Sequence, residues 1–338
     1  MAILDFHAKR DEINQILLSE ISMPNFKSIL NDQVQVFAHS IDSEAIEKIK
    51  SDPDEPLNIR LRMDPIDIKI PVYISENCET QINNPIRMFQ FSDETSENDS
   101  NGIKAKFSIE NDALLSGRFE FTFIKKNDGN WNSLFTHNKK EANSKFLVPK
   151  SNSIIINDNY LFNNIRKTKN NLGILNVEKL LFAIMPLDCP IEFQISIFTS
   201  EAKWDLNSSK KHFEYLLNSL KQKFTYPIFL ELIIWDSGEN HKRMLISNYF
   251  VATADKGFDI FDENDKVNDT NDILIRRLFH DVRQPGESPY LQSVKRLNLL
   301  RKTYNDARMY CSNAQQMKGK IYLSSDLESN TKNRLLII

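Results

Sequence analysis

Two residues in the stretch HKRMLISNYF, residues 241–250, have the types and the spacing that phosphate chemistry requires. His241 and Arg243 are two positions apart, and residues i and i+2 of a β-strand point to the same side. An imidazole nitrogen can attack phosphorus while a neighbouring cation stabilises the charge that develops on the non-bridging oxygens. Lys242, between them, is a further candidate for phosphate binding. The alternative interpretation is that these are ordinary polar residues at the start of a strand in an unrelated α/β sheet.

The segments that must position this pair alternate between strand-like and helix-like patterns. Continuous apolar runs predict strands, and apolar residues on one side of an amphipathic segment predict helices. These patterns predict strands at 153–158, 191–200, 228–235 and 241–252, and helices at 176–185 and 208–224. The alternation predicts βαβ crossovers and a parallel or mixed sheet that is covered on both faces. The short DSGEN turn predicts that the strand after it pairs antiparallel with the strand before it.

In this setting the stretch resembles the phospholipase D superfamily motif H-x-K-x-x-x-x-D, with Arg243 in place of the lysine and Asn248 in place of the aspartate. It is more similar to a degenerate branch, found C-terminal to MIT domains and in related bacterial proteins. There the motif reads H-x-R, and a glycine-aromatic/leucine-aspartate turn follows the next strand, as KGFDIFD (256–262) does here. The resemblance covers about residues 150–265. It implies a phospholipase D-like α/β domain with His241, Arg243 and Asn248 as its catalytic residues, if the domain is active.

The resemblance does not by itself imply activity, because fold and function are separable. Active members bring two such motifs together, whereas this chain has one convincing copy. Arginine binds phosphate through its planar fork but does not replace a lysine point charge, and asparagine cannot supply a carboxylate. We therefore expect a non-catalytic protein that binds phosphate or nucleic acid or acts as a scaffold. The alternatives are a homodimeric phosphodiesterase or nuclease with His241 as nucleophile, and a protein–protein adaptor.

A basic region follows residue 273 and is predicted to be helical. It suits contacts to a phosphate backbone, with Tyr290 and Tyr304 placed to stack on single-stranded bases. The alternative is a solvated helix face. The candidate nucleic-acid-binding residues are Arg276, Arg277, Arg283, Arg296 and Arg301.

The chain before residue 145 is predicted to be a separate, β-rich module, followed by the phospholipase D-like domain and its helical extension at 150–338. A helix is predicted at 5–20, and alternating patterns predict strands at 33–40, 58–63, 67–75, 103–110 and 117–126. Residues 91–102, FSDETSENDSNG, are predicted to be an acidic loop. The fold class expected for the whole chain is α+β or α/β.

Composition excludes several classes of protein. The 338 residues carry a net charge of −3, with roughly −10 in the first hundred residues and about +7 in the remainder. Three cysteines without a C-x-x-C pair predict a reducing, cytoplasmic compartment and no zinc site. No glycine-rich nucleotide motif, signal peptide or 18-residue apolar run is found. We expect no metal, no cofactor and no membrane span, and either a protein partner or a homodimer. The composition is typical of a bacterial protein, and a role in defence or a mobile element is a hypothesis from where such domains occur.

Overall fold

The structure is a computed structural model. It describes residues 5–18, 35–39, 44, 47–48, 51–54, 72–74, 88–91, 103–105, 117–142, 145–149, 151–161, 172–189, 192–200, 206–235, 242–278, 289–311, 319–324 and 333–336. The chain divides into two compact units. One comprises Met1–Gly117, Arg277–Lys295 and Ile338, and the other comprises Arg118–Arg276 and Arg296–Ile337. The boundary expected near residues 145–150 therefore falls inside the second unit.

The first unit contains a five-stranded sheet in the order β3-β2-β1-β4-β5, and each of its neighbouring pairs is parallel. This is the strand order of doubly wound sheets. Its elements are β1 (Asp5–Lys9), α1 (Arg10–Leu18), β2 (Gln35–His39), β3 (Val72–Ile74), β4 (Met88–Phe91) and β5 (Ile103–Ala105).

The helix predicted at 5–20 is correct only from Arg10 onwards. Asp5–Lys9 is the central strand, paired on both sides, because ladder bonds to two neighbours outweigh the weak local helix preference. The strands expected at 33–40, 67–75 and 103–110 are confirmed over their described residues, which are those of β2, β3 and β5. The predicted strand at 58–63 and residues 92–102 of the acidic loop lie outside the described residues.

The second unit is built around an eight-stranded mixed sheet in the order β15-β11-β10-β9-β12-β13-β14-β6, with a two-stranded sheet beside it. Short 3₁₀ turns occur at Trp131–Ser133 and Lys139–Glu141. The other elements are β6 (Arg118–Phe123), β7 (Phe135–Thr136), β8 (Phe146–Leu147), β9 (Ser153–Asn157), α2 (Leu172–Ile184), β10 (Phe193–Thr199), α3 (Leu206–Lys223), β11 (Ile228–Trp235), β12 (Met244–Ser247), β13 (Phe250–Ala254), β14 (Asn271–Arg277), α4 (Pro289–Cys311) and β15 (Gly319–Leu323). The division of the chain assigns Arg277 of β14 and the first seven residues of α4 to the first unit.

The centre of this sheet consists of the parallel strands β9, β10 and β11, joined through α2 and α3. Every residue of β9 and β10 is buried, which explains the continuous apolar run Ile154–Ile156 at the centre of β9. In β10 the polar residues Gln194 and Ser196 alternate with apolar ones although both faces of the strand are buried. One face packs against both helices, through Ile156, Ile197, Leu232 and Leu245 of the strands and Leu180 and Leu216 of the helices. The mixed α and β architecture expected from the sequence is therefore present.

Two local predictions are wrong. Residues 241–252 do not form one strand beside β11, because β15 occupies that edge of β11; instead β12 pairs antiparallel with β9 and with β13. The predicted helix after residue 273 begins as a strand, because Asn271–Arg277 pairs with β6 and its first five residues alternate between buried and less buried. The helix follows later, as α4. None of the described helices has the length and hydrophobicity that a membrane span requires.

Asn248 lies at the end of β12 that is next to the amino end of β9. Its side-chain oxygen accepts hydrogen bonds from the backbone N–H of Asn152 (3.3 Å) and Ser153 (3.0 Å). Its amide nitrogen donates to the Asn152 side-chain oxygen at 3.0 Å. Because Asn248 is almost completely buried, these bonds replace ones that water would otherwise make.

We expect Asn248→Ala to lower the free energy of unfolding by about 1–3 kcal/mol, because it leaves buried backbone N–H groups without acceptors. Urea unfolding monitored by tryptophan fluorescence measures the change. Asn132→Ala, which removes an exposed asparagine, is the control and should stay within about 0.5 kcal/mol of the parent. Equal effects of the two substitutions would contradict a structural role for Asn248.

Candidate functional site

Three polar side chains form a row across the sheet where β9 and β10 end and β12 begins. Asn157 pairs with Phe198 on one side and with Met244 on the other. The N–H of Asp158 donates to Phe198 O at 3.0 Å, which continues the pairing of β9 with β10 for one more step. The antiparallel register of β12 and β9, continued by one residue past the Met244–Asn157 pair, places Arg243 opposite Asp158. Thr199, Asp158 and Arg243 are therefore neighbours on three adjacent strands.

The three side chains point to the same face of the sheet. Ile156, Ile197 and Leu245 belong to the core between the sheet and the helices α2 and α3. Side chains two positions apart share a face, so Asp158, Thr199 and Arg243 lie on the helix side. This edge is the carboxyl end of the parallel strands, where open α/β sheets bind their ligands.

Asp158 is the most buried charged group of the row, at 1% exposure. Its Oδ1 accepts a hydrogen bond from Tyr160 N–H at 2.9 Å, and its Oδ2 accepts one from Phe258 N–H at 3.1 Å. The Nε of Arg243 lies 4.0 Å from Oδ1. Burial raises the pKa of the Asp158 carboxyl, while the two N–H donors and Arg243 act in the opposite direction.

Gly257 allows the chain to pass directly over this carboxylate. Its φ is +98°, and a Cβ at this position would lie 2.6 Å from Asp158 Oδ2, 3.2 Å from Asp259 Oδ1 and 3.5 Å from Arg243 Cδ. Two carboxylates and one guanidinium side chain therefore converge above a single glycine. Both the backbone conformation and the close approach favour glycine here.

Two buried asparagines hold the turn that contains Gly257. The Asn271 amide donates to Gly257 O at 2.8 Å and accepts from Lys256 N–H at 3.1 Å. The Asn176 side chain, on α2, accepts from Phe261 N–H and donates to Phe261 O, both at 2.9 Å. The segment 256–261 is thereby fixed to β14 on one side and to α2 on the other.

Arg243 is held from several directions but remains partly accessible, with 25% of its side chain exposed. Its Nη1 donates to the backbone oxygen of Asp255, and its guanidinium stacks over the Tyr160 ring at 4.8 Å. Its Nε is buried and has no hydrogen-bond acceptor. The neighbouring Lys242 is exposed, and its backbone oxygen accepts a hydrogen bond from the Asn157 amide.

Asp259 has an unusual protonation equilibrium. Burial, and next the negative charge of Asp158, raise the pKa of its carboxyl to about 7, and the positive charge of Arg243 only partly offsets them. Near neutral pH the cluster of Asp158, Asp259 and Arg243 therefore changes its net charge by one unit.

The residues predicted from the motif are separated by the fold. Arg243 and Lys242 lie at the site described above, whereas Asn248 lies at the opposite end of β12 and bonds to the backbone there. His241 lies outside the described residues. Arg243 and Asn248 therefore do not act on the same ligand.

The predicted basic face is not a single surface. Arg276 and Arg277 are consecutive in β14, so their side chains point to opposite faces, and burial lowers the pKa of Arg277 to about 10. Arg296 and Arg301 are five residues apart on α4, which places them about 140° apart around its axis. Arg283 lies outside the described residues. The prediction that Tyr290 and Tyr304 stack on bases is wrong, because both rings are buried.

Sequence reasoning missed Thr199, Asp158, Asp259 and Tyr160 as members of a site. The signal for Asp158 is its position directly after the buried strand SIIIN, at the carboxyl edge of a predicted parallel sheet. Asp259 belongs to the KGFD turn that the family resemblance pointed out. Thr199 carries no signal, because only the register shows that it neighbours Asp158.

The close approach at Gly257 predicts a large effect of a single methyl group. We expect Gly257→Ala to lower the free energy of unfolding by about 3 kcal/mol or more, through the left-handed backbone and the contact with Asp158. Gly117→Ala is the matched control, because its φ is +114° but no atom lies within 4 Å of the added Cβ. The free energy of unfolding of Gly117→Ala should fall by about 1 kcal/mol. Urea unfolding compares them, and equal losses would contradict the steric role of Gly257.

The raised pKa of Asp259 predicts a pH-dependent stability. The folded state keeps the proton up to about pH 7, whereas the unfolded state loses it near 3.8, so this group makes the fold less stable as pH rises between those values. We expect Asp259→Asn to gain stability over the parent progressively from pH 4 to 7, reaching roughly 2–4 kcal/mol, and to stay constant above pH 7. Urea unfolding at each pH measures this difference. As a control, Asp255→Asn replaces an exposed carboxylate, and its free energy of unfolding should follow that of the parent at every pH. If the free energy of unfolding of Asp259→Asn also followed the parent at every pH, the raised pKa of Asp259 would be refuted.

No protein-family model matches this chain, and no curated protein is significantly similar to it. Within the described part of the chain, no three histidine, cysteine, aspartate or glutamate side chains are grouped to hold a metal ion. The chemistry of the site is therefore inferred from its residues and their geometry.

Proposed function

We propose that the second unit is a degenerate phospholipase D-like domain that binds a phosphate-bearing ligand at the carboxyl edge of β9 and β10 without turning it over. The observation that carries this proposal is the partly exposed guanidinium of Arg243, whose Nε lacks an acceptor at an edge where α/β sheets bind ligands. Lys242 adds an exposed positive charge next to it. The KGFD turn beside Arg243 supports the resemblance from which the phosphate assignment came.

The geometry favours binding over nucleophilic catalysis. Asp158 Oδ1 lies 4.0 Å from Arg243 Nε, and Asp259 lies against the same glycine as both of them. These two carboxylates lower the local positive potential that a phosphodiester transition state needs. Arg243 is stacked on Tyr160 and bonded to Asp255 O, so it offers a fixed fork rather than a mobile point charge. The site therefore suits binding of an anion without its hydrolysis.

We expect Arg243→Met to weaken binding of a 5′-phosphorylated single-stranded oligonucleotide by about 10- to 100-fold, the effect of losing a charged hydrogen bond. Fluorescence anisotropy at fixed low salt measures it. Arg118→Met, at an exposed arginine paired with Glu120, is the control and should bind as the parent does. Arg243→Lys should not restore binding, because lysine lacks the planar fork.

Three outcomes separate the candidate functions. Absence of binding in the parent would overturn phosphate recognition and leave the protein–protein adaptor. Binding unchanged in Arg243→Met would move recognition away from this edge of the sheet. Hydrolysis of bis-p-nitrophenyl phosphate that is abolished by His241→Ala would establish the homodimeric phosphodiesterase in place of the binding protein.

A further inference from the structure

The side chain of Thr199 is the least explained polar group of the site. It is 2% exposed, and its Oγ1 has no hydrogen-bond partner. Leaving a buried hydroxyl unsatisfied costs folding free energy, so such groups are rare and usually have a role. Thr199 lies one strand away from Asp158, on the same face as Arg243, whose Nε is likewise buried without an acceptor.

The row therefore presents a donor, an acceptor and a donor on three adjacent strands. Thr199 Oγ1 and Arg243 Nε are the donors, and the carboxylate of Asp158 between them is the acceptor. Each Asp158 oxygen takes one backbone hydrogen bond and has a further lone pair that can accept another. A ligand group that matches the row must accept at both ends and donate in the middle.

We propose that the row selects a phosphate group that carries a proton, as inorganic phosphate does near neutral pH and phosphomonoesters do at and below about pH 6, over sulfate and internal phosphodiesters. This inference rests on the proposed function. Two phosphate oxygens accept from Thr199 and Arg243, and the P–OH group donates to Asp158. Sulfate and phosphodiesters are fully deprotonated at this pH, so they place oxygen lone pairs against the Asp158 carboxylate. The ligand is accordingly a terminal phosphate rather than a phosphate within a nucleic-acid chain.

The decisive comparison uses the unmodified protein with two ions of nearly the same size and shape. Isothermal titration calorimetry at pH 7.5 should show inorganic phosphate binding at least about tenfold more tightly than inorganic sulfate. At pH 6, where about half of a terminal phosphate carries a proton, an oligonucleotide with a 5′-phosphate should likewise bind more tightly than the same oligonucleotide without it. Equal affinities for phosphate and sulfate would overturn the inference.

Thr199→Val tests the row without removing a charge. Valine has nearly the same shape but no hydroxyl, so phosphate affinity should fall by about tenfold while the melting temperature stays equal or rises. Thr199→Ser keeps the hydroxyl and should keep the affinity. Unchanged phosphate affinity in Thr199→Val would remove Thr199 from the site and overturn the row.

Asp158→Asn tests the acceptor, because the amide can donate to sulfate and should abolish the preference for phosphate. Since Asp158 also holds the turn at Gly257, a failure of this variant to fold leaves the two preceding tests decisive. Arg243-dependent binding of phosphate and sulfate with equal affinity would refute the selectivity and leave the proposed function intact. Binding of no phosphate-bearing probe would refute both.

Discussion

The buried carboxylate of Asp158 is the group on which the geometry of the site depends. A carboxylate at 1% exposure is stable only if hydrogen bonds and a counter-charge replace its hydration. Phe258 N–H, Tyr160 N–H and Arg243 supply these. Because one donor comes from the turn after β13, that turn must approach the sheet closely, and the glycine at 257 follows from this approach. The Asp158 carboxylate thus fixes the positions of three segments: the end of β9, the start of β12 and the turn after β13.

Asparagine side chains perform much of the remaining positioning. Irregular segments near a buried edge have backbone groups that no strand or helix satisfies, and these groups need partners. Asn176 and Asn271 each donate and accept with the backbone of the segment that follows β13, as a neighbouring strand would do. Asn248 accepts from two backbone N–H groups at the start of β9 and donates to the Asn152 side chain. The amide side chain suits this task because it offers a donor and an acceptor without charge.

The pattern of elements in the second unit could be read from the sequence with few errors. The buried strands β9, β10 and β11 are rich in isoleucine, leucine and phenylalanine, and α2 ends at Ile184, two residues before Pro186. The errors concern pairing. The sequence before β12 looks like a hairpin turn, yet β12 pairs with β9, and ILIRR looks like the start of a basic helix, yet it pairs with β6. The local hydrophobic pattern of the sequence indicates which residues are buried. The strand with which a given strand pairs depends instead on which edge of the sheet is free.

The sequence by itself determined that Arg243 lies at the start of a strand, that Asp158 ends a buried strand, and that a glycine-aromatic-aspartate turn comes after β13. It did not determine that these three segments meet. Only the register of three adjacent strands brings Thr199, Asp158 and Arg243 into one row and sends Asn248 to the opposite end of β12. The physical reason is that a motif records spacing along one strand, whereas a ligand contacts side chains across strands, and that order is set by hydrogen-bond pairing and by burial of the apolar faces.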